Sequence, residues 1–178
     1  MNMMSPSFRS RVIRLGSLVV PVLVGLGLLA AETRAGDSAE EQKVLETVQR
    51  FFDAMADRDA KAALEVMIPE GRFFSLREEN GETMMRSSTN EEFAQGLETQ
   101  ERDLLERFWE AEVRIHGGIA TVWTPYDFFL DGEFHHCGID AFDLLNDGTG
   151  WKITGGVYTV ETSGCPDSPL GPPEKEIE

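Results

Sequence analysis

An indole, two carboxylates and an imidazole recur at short spacing in the second half of the chain: Trp123, Asp127, His136 and Asp140. An acid and an imidazole on one surface can orient a ligand or move a proton, and aromatic neighbours supply apolar walls. Whether these residues share a surface depends on how their strands pair. Asp131-Gly132 reads as a two-residue hairpin turn. Leu130 then faces Glu133, Asp127 faces His136 and Trp123 faces Asp140. Side chains alternate along a strand, so these last four share one face, together with Phe142. Tyr126, His135 and Cys137 fall on the other. The same alternation sends His135 and His136 to opposite sides. The run His135-His136-Cys137 is therefore not expected to hold a metal.

Two placements of that face stay open. If it is concave, Trp123 and Phe142 wall a pocket that contains Asp140 and His136, and Tyr158 on the last strand reaches its rim. Burial would then raise the Asp140 pKa and favour its protonated form. If it is convex, Val122, Tyr126, Phe128, Ile139 and Ala141 form the core instead. A bulge in either strand flips one register. Ser75 and His136 lack a third member for a nucleophilic triad.

The elements that would position these residues are legible from periodicity. Val44, Val48, Phe51, Phe52 and Met55 make one apolar stripe, which predicts a helix over 37–58. Asp59 caps a second helix, Ala60 to Met67, ended by Pro69. Arg72 to Arg77 and Thr83 to Arg86 read as strands around the Asn80-Gly81 turn, and Asn90 caps a third helix over 91–97. From Phe108 onward, four extended runs are separated by Gly117-Gly118, Asp131-Gly132 and Asn146-Asp147-Gly148, which predicts an antiparallel meander. The highly charged stretch 99–107 has no clear period. Residues 164–178 read as a flexible, proline-rich acidic tail.

The N-terminus has a different character. Arg9, Arg11 and Arg14 precede an apolar run from Leu15 to Ala31, and Thr33 and Ala35 put small residues at −3 and −1 of a cut. This order predicts a signal peptide over 1–35 and export to the periplasm or medium. From Gly36 on there are 12 basic and 31 acidic residues, a formal charge of −19. Such a surface repels phosphate backbones and anionic membranes, so neither nucleic-acid binding nor stable membrane contact after cleavage is expected. An oxidising compartment permits a Cys137–Cys165 disulfide, which the last hairpin favours by bringing residues near Val160 alongside Cys137; two free thiols are the alternative. No Gly-rich phosphate loop, GxSxG or HExxH motif is present, and no cofactor is expected.

The order of these elements, with FFDAMADRDAKAALEVM, WTPYDFFLDGEFHHCGIDAFDLL and GWKITGGVYTVE, resembles the nuclear transport factor two-like superfamily, in particular its bacterial SnoaL-like and lumazine-binding-like branch. The resemblance implies an α+β domain over 37–163: a cone-shaped, strongly curved antiparallel sheet whose concave face is closed by three helices, often in a homodimer. It also implies that the Asp140 face lines a pocket, since ketosteroid isomerases carry a pocket acid on the equivalent strand. It argues against isomerase chemistry at two other places: Phe51 stands where that family has a phenol, and Ser75 where it has a catalytic carboxylate. The expected function is an exported domain that binds a small apolar or aromatic ligand. The alternatives are a cofactor-free isomerase, cyclase or dehydratase using Asp140 and His136, and a dimerising interaction module.

Overall fold

The computed structural model describes residues 29–79 and 81–173, with side chains from Ser38 onward. Residues 1–28, most of the expected signal segment, lie outside the described residues, as does the end of the tail from Glu174. Among the described residues no helix is long and apolar enough to cross a membrane.

Helix α1 (Leu29–Ala56) is amphipathic as its stripe predicts. Val44, Val48, Phe51, Phe52 and Met55 are all buried against the sheet. Helix α2 (Ala60–Val66) starts where the Ala62 amide donates to the Asp59 carboxylate at 2.9 Å. Helix α3 (Asn90–Glu98) is capped one residue earlier than the sequence predicts. Thr89 and Glu92 form a reciprocal capping box, in which each side chain accepts from the other's backbone amide. Asn90 instead is fully buried, and its Nδ2 donates to the carbonyls of Ile68 and Ile153.

Seven strands follow: β1 (Met67–Glu79), β2 (Glu82–Thr89), β3 (Leu104–Phe108), β4 (Glu112–His116), β5 (Ile119–Leu130), β6 (Glu133–Asn146) and β7 (Trp151–Val160). They form one curved, open sheet in the order β2-β1-β7-β6-β5-β3, with β4 also paired to β5. The meander is antiparallel, but β1 runs parallel to β7, with Phe73 opposite Gly156 and Ser75 opposite Tyr158. The sheet is therefore mixed, because the chain crosses from β2 at one edge to β3 at the other before the meander returns. Gly155 sits at this junction with φ +146°, where a Cβ would fall 2.1 Å from the Arg72 carbonyl oxygen.

One hairpin departs from regular pairing. Leu130 faces Glu133 as expected, and Phe129 faces Phe134. Phe128 then faces His136, so His135 is an extra residue in β6. This bulge shifts every later pair by one: Asp127 faces Cys137 and Trp123 faces Ala141. The expected Asp127–His136 and Trp123–Asp140 pairs do not form, and the expected single face is divided. His136, Asp140 and Phe142 lie on the helix-covered side with Val122, Tyr126 and Phe128. Trp123 and Asp127 lie on the opposite, convex side.

The tail is also not free over its described length. Cys137 and Cys165 are joined by a disulfide with Cα atoms 5.9 Å apart. Residues 165–172 then lie over the convex side of β3 and β5, where the Gly171 carbonyl accepts from Arg107 Nη2 at 2.9 Å.

Candidate functional site

A cavity of about 450 Å³ opens between α1, α3 and the helix-covered face of the sheet. Its walls are mainly aromatic. Phe51 stacks on Phe73 at 5.6 Å between ring centroids, and Phe142 meets both edge-on at 6.0 Å. Phe93 of α3 and Phe128 of β5 add to the apolar lining, with Met55, Leu97 and Leu104 among its aliphatic members. The exposed lining residues Glu92, Gly96 and His135 mark the mouth, and the buried Tyr126, Asp140 and Phe142 mark the inner end. Both volume and lining suit a small organic molecule.

The inner end is polar. Asp140, on β6, is only 4% exposed. The side chain of Glu106, on β3, reaches it and keeps part of its surface open to the cavity. Among the described residues Asp140 Oδ2 has no N–H or hydroxyl donor. A proton on Glu106 resolves this, because a protonated carboxyl can donate where a carboxylate cannot. The electrostatics agree. Burial, then the Asp140 charge, holds the Glu106 carboxyl well above its ordinary value. Burial pushes Asp140 up to about 7, opposed by the hydrogen bond from Glu106. Two adjacent carboxyls in an apolar wall cannot both ionise cheaply, so the pair shares a proton near neutrality.

Other groups around the pair are already engaged. Tyr126, almost fully buried, donates its phenol to the Thr159 carbonyl at 2.6 Å. Burial and the two carboxyls raise its pKa, so it stays neutral. Gly138 makes room for this ring: a Cβ there would lie 2.7 Å from Tyr126 Cε1. Tyr158 sits opposite Asp140 on one side of β7 and opposite the buried Ser75 of β1 on the other. Burial, aided by the nearby His135 and Arg77, pushes His136 down to about 4, so its imidazole is neutral. Arg77, on β1, is the fixed cation of the lining, and its Nη1 lies 3.7 Å from Glu79.

Of the residues singled out from the sequence, the structure brings Asp140, His136, Phe142 and Tyr158 into this cavity. It does not bring Trp123 or Asp127. Trp123 is 55% exposed on the convex face. Asp127 is buried there, facing Arg107 across the β3–β5 pair. Arg107 Nε donates to Oδ1 at 2.9 Å and Nη2 to Oδ2 at 2.5 Å. The bulge at His135 is the physical reason for both corrections. It also places His135 and His136 on the same wall, contrary to strict alternation. Among the described residues no three His, Cys, Asp or Glu side chains converge as a metal shell requires.

Glu106 was not singled out from the sequence, although a signal exists. In Leu104-Glu106-Phe108 one acid stands between two apolar residues at period two, the pattern of a charge on a buried strand face. The surrounding charge, from Glu98 to Arg107, hides that period.

Comparison with known proteins agrees with this architecture. Residues 39–159 match the model of the family described as "Putative lumazine-binding", and the chain belongs to that family, within the nuclear transport factor 2-like superfamily. Among solved structures it is similar to an NTF2-like protein with a cystatin-like fold from Novosphingobium aromaticivorans, at 16% identity and TM-score 0.60 over 79% of this chain and 94% of that one. A nuclear transport factor 2-like superfamily protein from Salmonella enterica aligns at 13% identity and TM-score 0.57, over 72% and 96%. The "beta subunit of a putative aromatic-ring-hydroxylating dioxygenase" from N. aromaticivorans aligns at 11% identity and TM-score 0.58, over 79% and 99%. Identities this low establish shared fold alone. A comparison with curated proteins finds no match.

Proposed function

We propose that this protein is an exported binding domain that holds a small apolar or aromatic molecule in the cavity between α1, α3 and the sheet. The observation that carries this reading is the cavity itself: about 450 Å³, aromatic on its sides and polar at its buried end. The family description, which names a small heterocycle as ligand, points the same way. Export is supported by the basic, apolar and small-residue order of residues 1–35 and by the disulfide, which suits an oxidising compartment. Native mass spectrometry of protein recovered from the non-cytoplasmic fraction tests both parts. A chain starting near Gly36 with a retained small molecule is expected. Full-length cytoplasmic chain would overturn export, and failure to retain or take up any aromatic molecule would overturn binding.

A second reading is favoured by one observation, the Asp140–Glu106 carboxyl pair at the buried end of an open cavity. Such a pair can give and take a proton, which suits a cofactor-free isomerase, cyclase or dehydratase. Asp140 with Glu106, rather than with His136, would carry it. Solvent deuterium exchange into a bound carbonyl compound, lost in Asp140→Asn, would support this reading over simple binding.

The convex face supports a homodimer. Phe74, Leu76, Met85, Trp123 and Val157 expose large apolar surface there, and all five line one shallow groove. Contiguous apolar surface of this kind marks interaction sites.

A further inference from the structure

Among the described residues, neither Asp140 nor Glu106 forms an ion pair with any Lys, Arg or His. Asp140 is nevertheless 4% exposed, and its Oδ2 lacks an N–H or hydroxyl donor. Buried charge in proteins is ordinarily paired. The convex face of the same strands shows the usual solution, with Arg107 answering Asp127 through two hydrogen bonds. The cavity side has no such answer.

The hydrogen-bond inventory of the inner end is equally one-sided. The Tyr126 proton is spent on Thr159, and the single carboxyl proton is shared within the pair. His136 is neutral, with its Nδ1 2.7 Å from that of His135. What remains on the carboxyl pair itself is acceptor capacity, ringed by Tyr126, Tyr158 and Phe142. Aromatic faces attract cations as well. Arg77, the fixed cation of the wall, has a buried Nε with no hydrogen-bond partner among the described residues, but it forms no ion pair with Asp140 or Glu106. It also borders a surface groove with Thr162 and Ser163, and Glu79 offsets its charge.

We propose that the cavity takes an organic amine: a ring-bearing, apolar molecule whose protonated nitrogen seats against Asp140 and Glu106 while its ring lies among Phe51, Phe73 and Phe142. This rests on the reading of the cavity as a ligand site. The ammonium group supplies the missing positive charge and donates to the carboxyl oxygens that the shared proton leaves open. The strongly acidic surface outside, with formal net charge −16 for the whole chain, raises the local concentration of cations.

Three probes of matched ring and size test it by calorimetry at pH 7.5: 1-naphthylmethylamine, 1-naphthylacetamide and 1-naphthylacetate. The amine is expected to bind at least about tenfold more tightly than the amide, and the acetate most weakly, because a desolvated charge pair is worth more than a neutral hydrogen bond. In Asp140→Asn the amine and amide should come within about threefold of each other. The wild-type order alone decides the matter should that variant fail to fold. Binding of the amide or the acetate as tightly as the amine would overturn the amine assignment and leave the ligand site standing. An amine preference that survives Asp140→Asn would overturn the role given to Asp140. Binding of none of the three would overturn the ligand site and the amine assignment together.

Discussion

The Nδ1 atoms of His135 and His136 lie 2.7 Å apart on the cavity side of β6, although the two residues are consecutive in a strand. Only a bulge brings neighbours in a strand to one face, and this one decides which chemistry enters the cavity. Downstream of it Asp140 and Phe142 turn inward. Without it the regular register would pair Asp140 with Trp123, which points outward. The pair also sets a proton balance: one imidazole nitrogen must donate and the other accept, so at least one of the two Nδ1 atoms is unprotonated.

Removing His135 should therefore move its neighbour's titration. Burial is the larger cause of the low His136 pKa, and the nearby His135 adds to it. In His135→Ala the His136 pKa should rise from about 4 and still stay below the ordinary 6.5. Histidine ring resonances followed by NMR between pH 3 and 8 check this. An unchanged His136 would show that the imidazoles do not interact.

The acid pair predicts a pH dependence of stability with a definite sign. Both carboxyl pKa values are raised in the folded protein, so the folded state binds the protons more tightly. That stability is fully present below the unfolded value of 3.8 for Asp140 and is lost as pH rises through about 7. His136 acts oppositely. Its folded value is depressed, so its contribution is present above 6.5 and lost as pH falls towards 4. Between pH 6.5 and 8 the acid pair acts alone of these two. The wild-type Tm should be about 2–4 °C higher at pH 6.5 than at pH 8, and the slope should flatten in Glu106→Gln. Equal slopes in the two proteins would remove the pair from the account.

The Arg107–Asp127 pair should matter more than an ordinary surface bridge. It is shielded by Phe129 and residues 165–172, with Asp127 3% exposed. Arg107→Ala leaves the Asp127 carboxylate buried without its partner, and a loss of about 3 kcal/mol is expected in urea unfolding. Replacing both, as in Arg107→Met with Asp127→Leu, should cost less than the single change. A larger loss in the double variant would contradict this.

The disulfide closes a span of 28 residues, for which loop entropy gives about 3–4 kcal/mol. Cys137→Ser with Cys165→Ser should lose roughly this in urea unfolding. Backbone amides from 165 to 172 should also lose hydrogen-exchange protection. Full retained protection there would show that Arg107 and Gly171 hold the segment unaided.

On the convex face, Trp123→Glu should convert a dimeric protein to monomer by light scattering without changing its far-UV spectrum, since the side chain is exposed. A wild-type protein monomeric at high micromolar concentration would remove the dimer.

Helix periodicity, the hairpin turns and the apolar stripe of α1 were readable because each is a local pattern: Val44 to Met55 repeat at helical spacing, and Asp131-Gly132 fixes a turn. The bulge was not, because nothing in Glu133-Phe134-His135-His136 marks which residue the partner strand will skip; that is settled by Phe142 and Leu144 having to meet the helices. Three of the five residues of the expected face, His136, Asp140 and Phe142, reached the cavity for this reason, while Trp123 and Asp127 did not. Glu106 escaped because its strand is five residues long and lies in a charged surround. The parallel β1–β7 pairing escaped because it joins residues about 80 positions apart.

That pairing has a kinetic consequence. Strand β7 is the last of the sheet to be synthesised, yet it lies between β1 and β6 and holds the two parts of the sheet together. Until it arrives, Phe73 and the apolar face of α1 have no complete surface to cover them, and the cavity has no Tyr158 wall. Folding must wait for contacts between distant parts of the chain, which places this domain among slow folders for its size. A growing chain therefore leaves these apolar faces uncovered until β7 is available, and the cavity is among the last features of the domain to form.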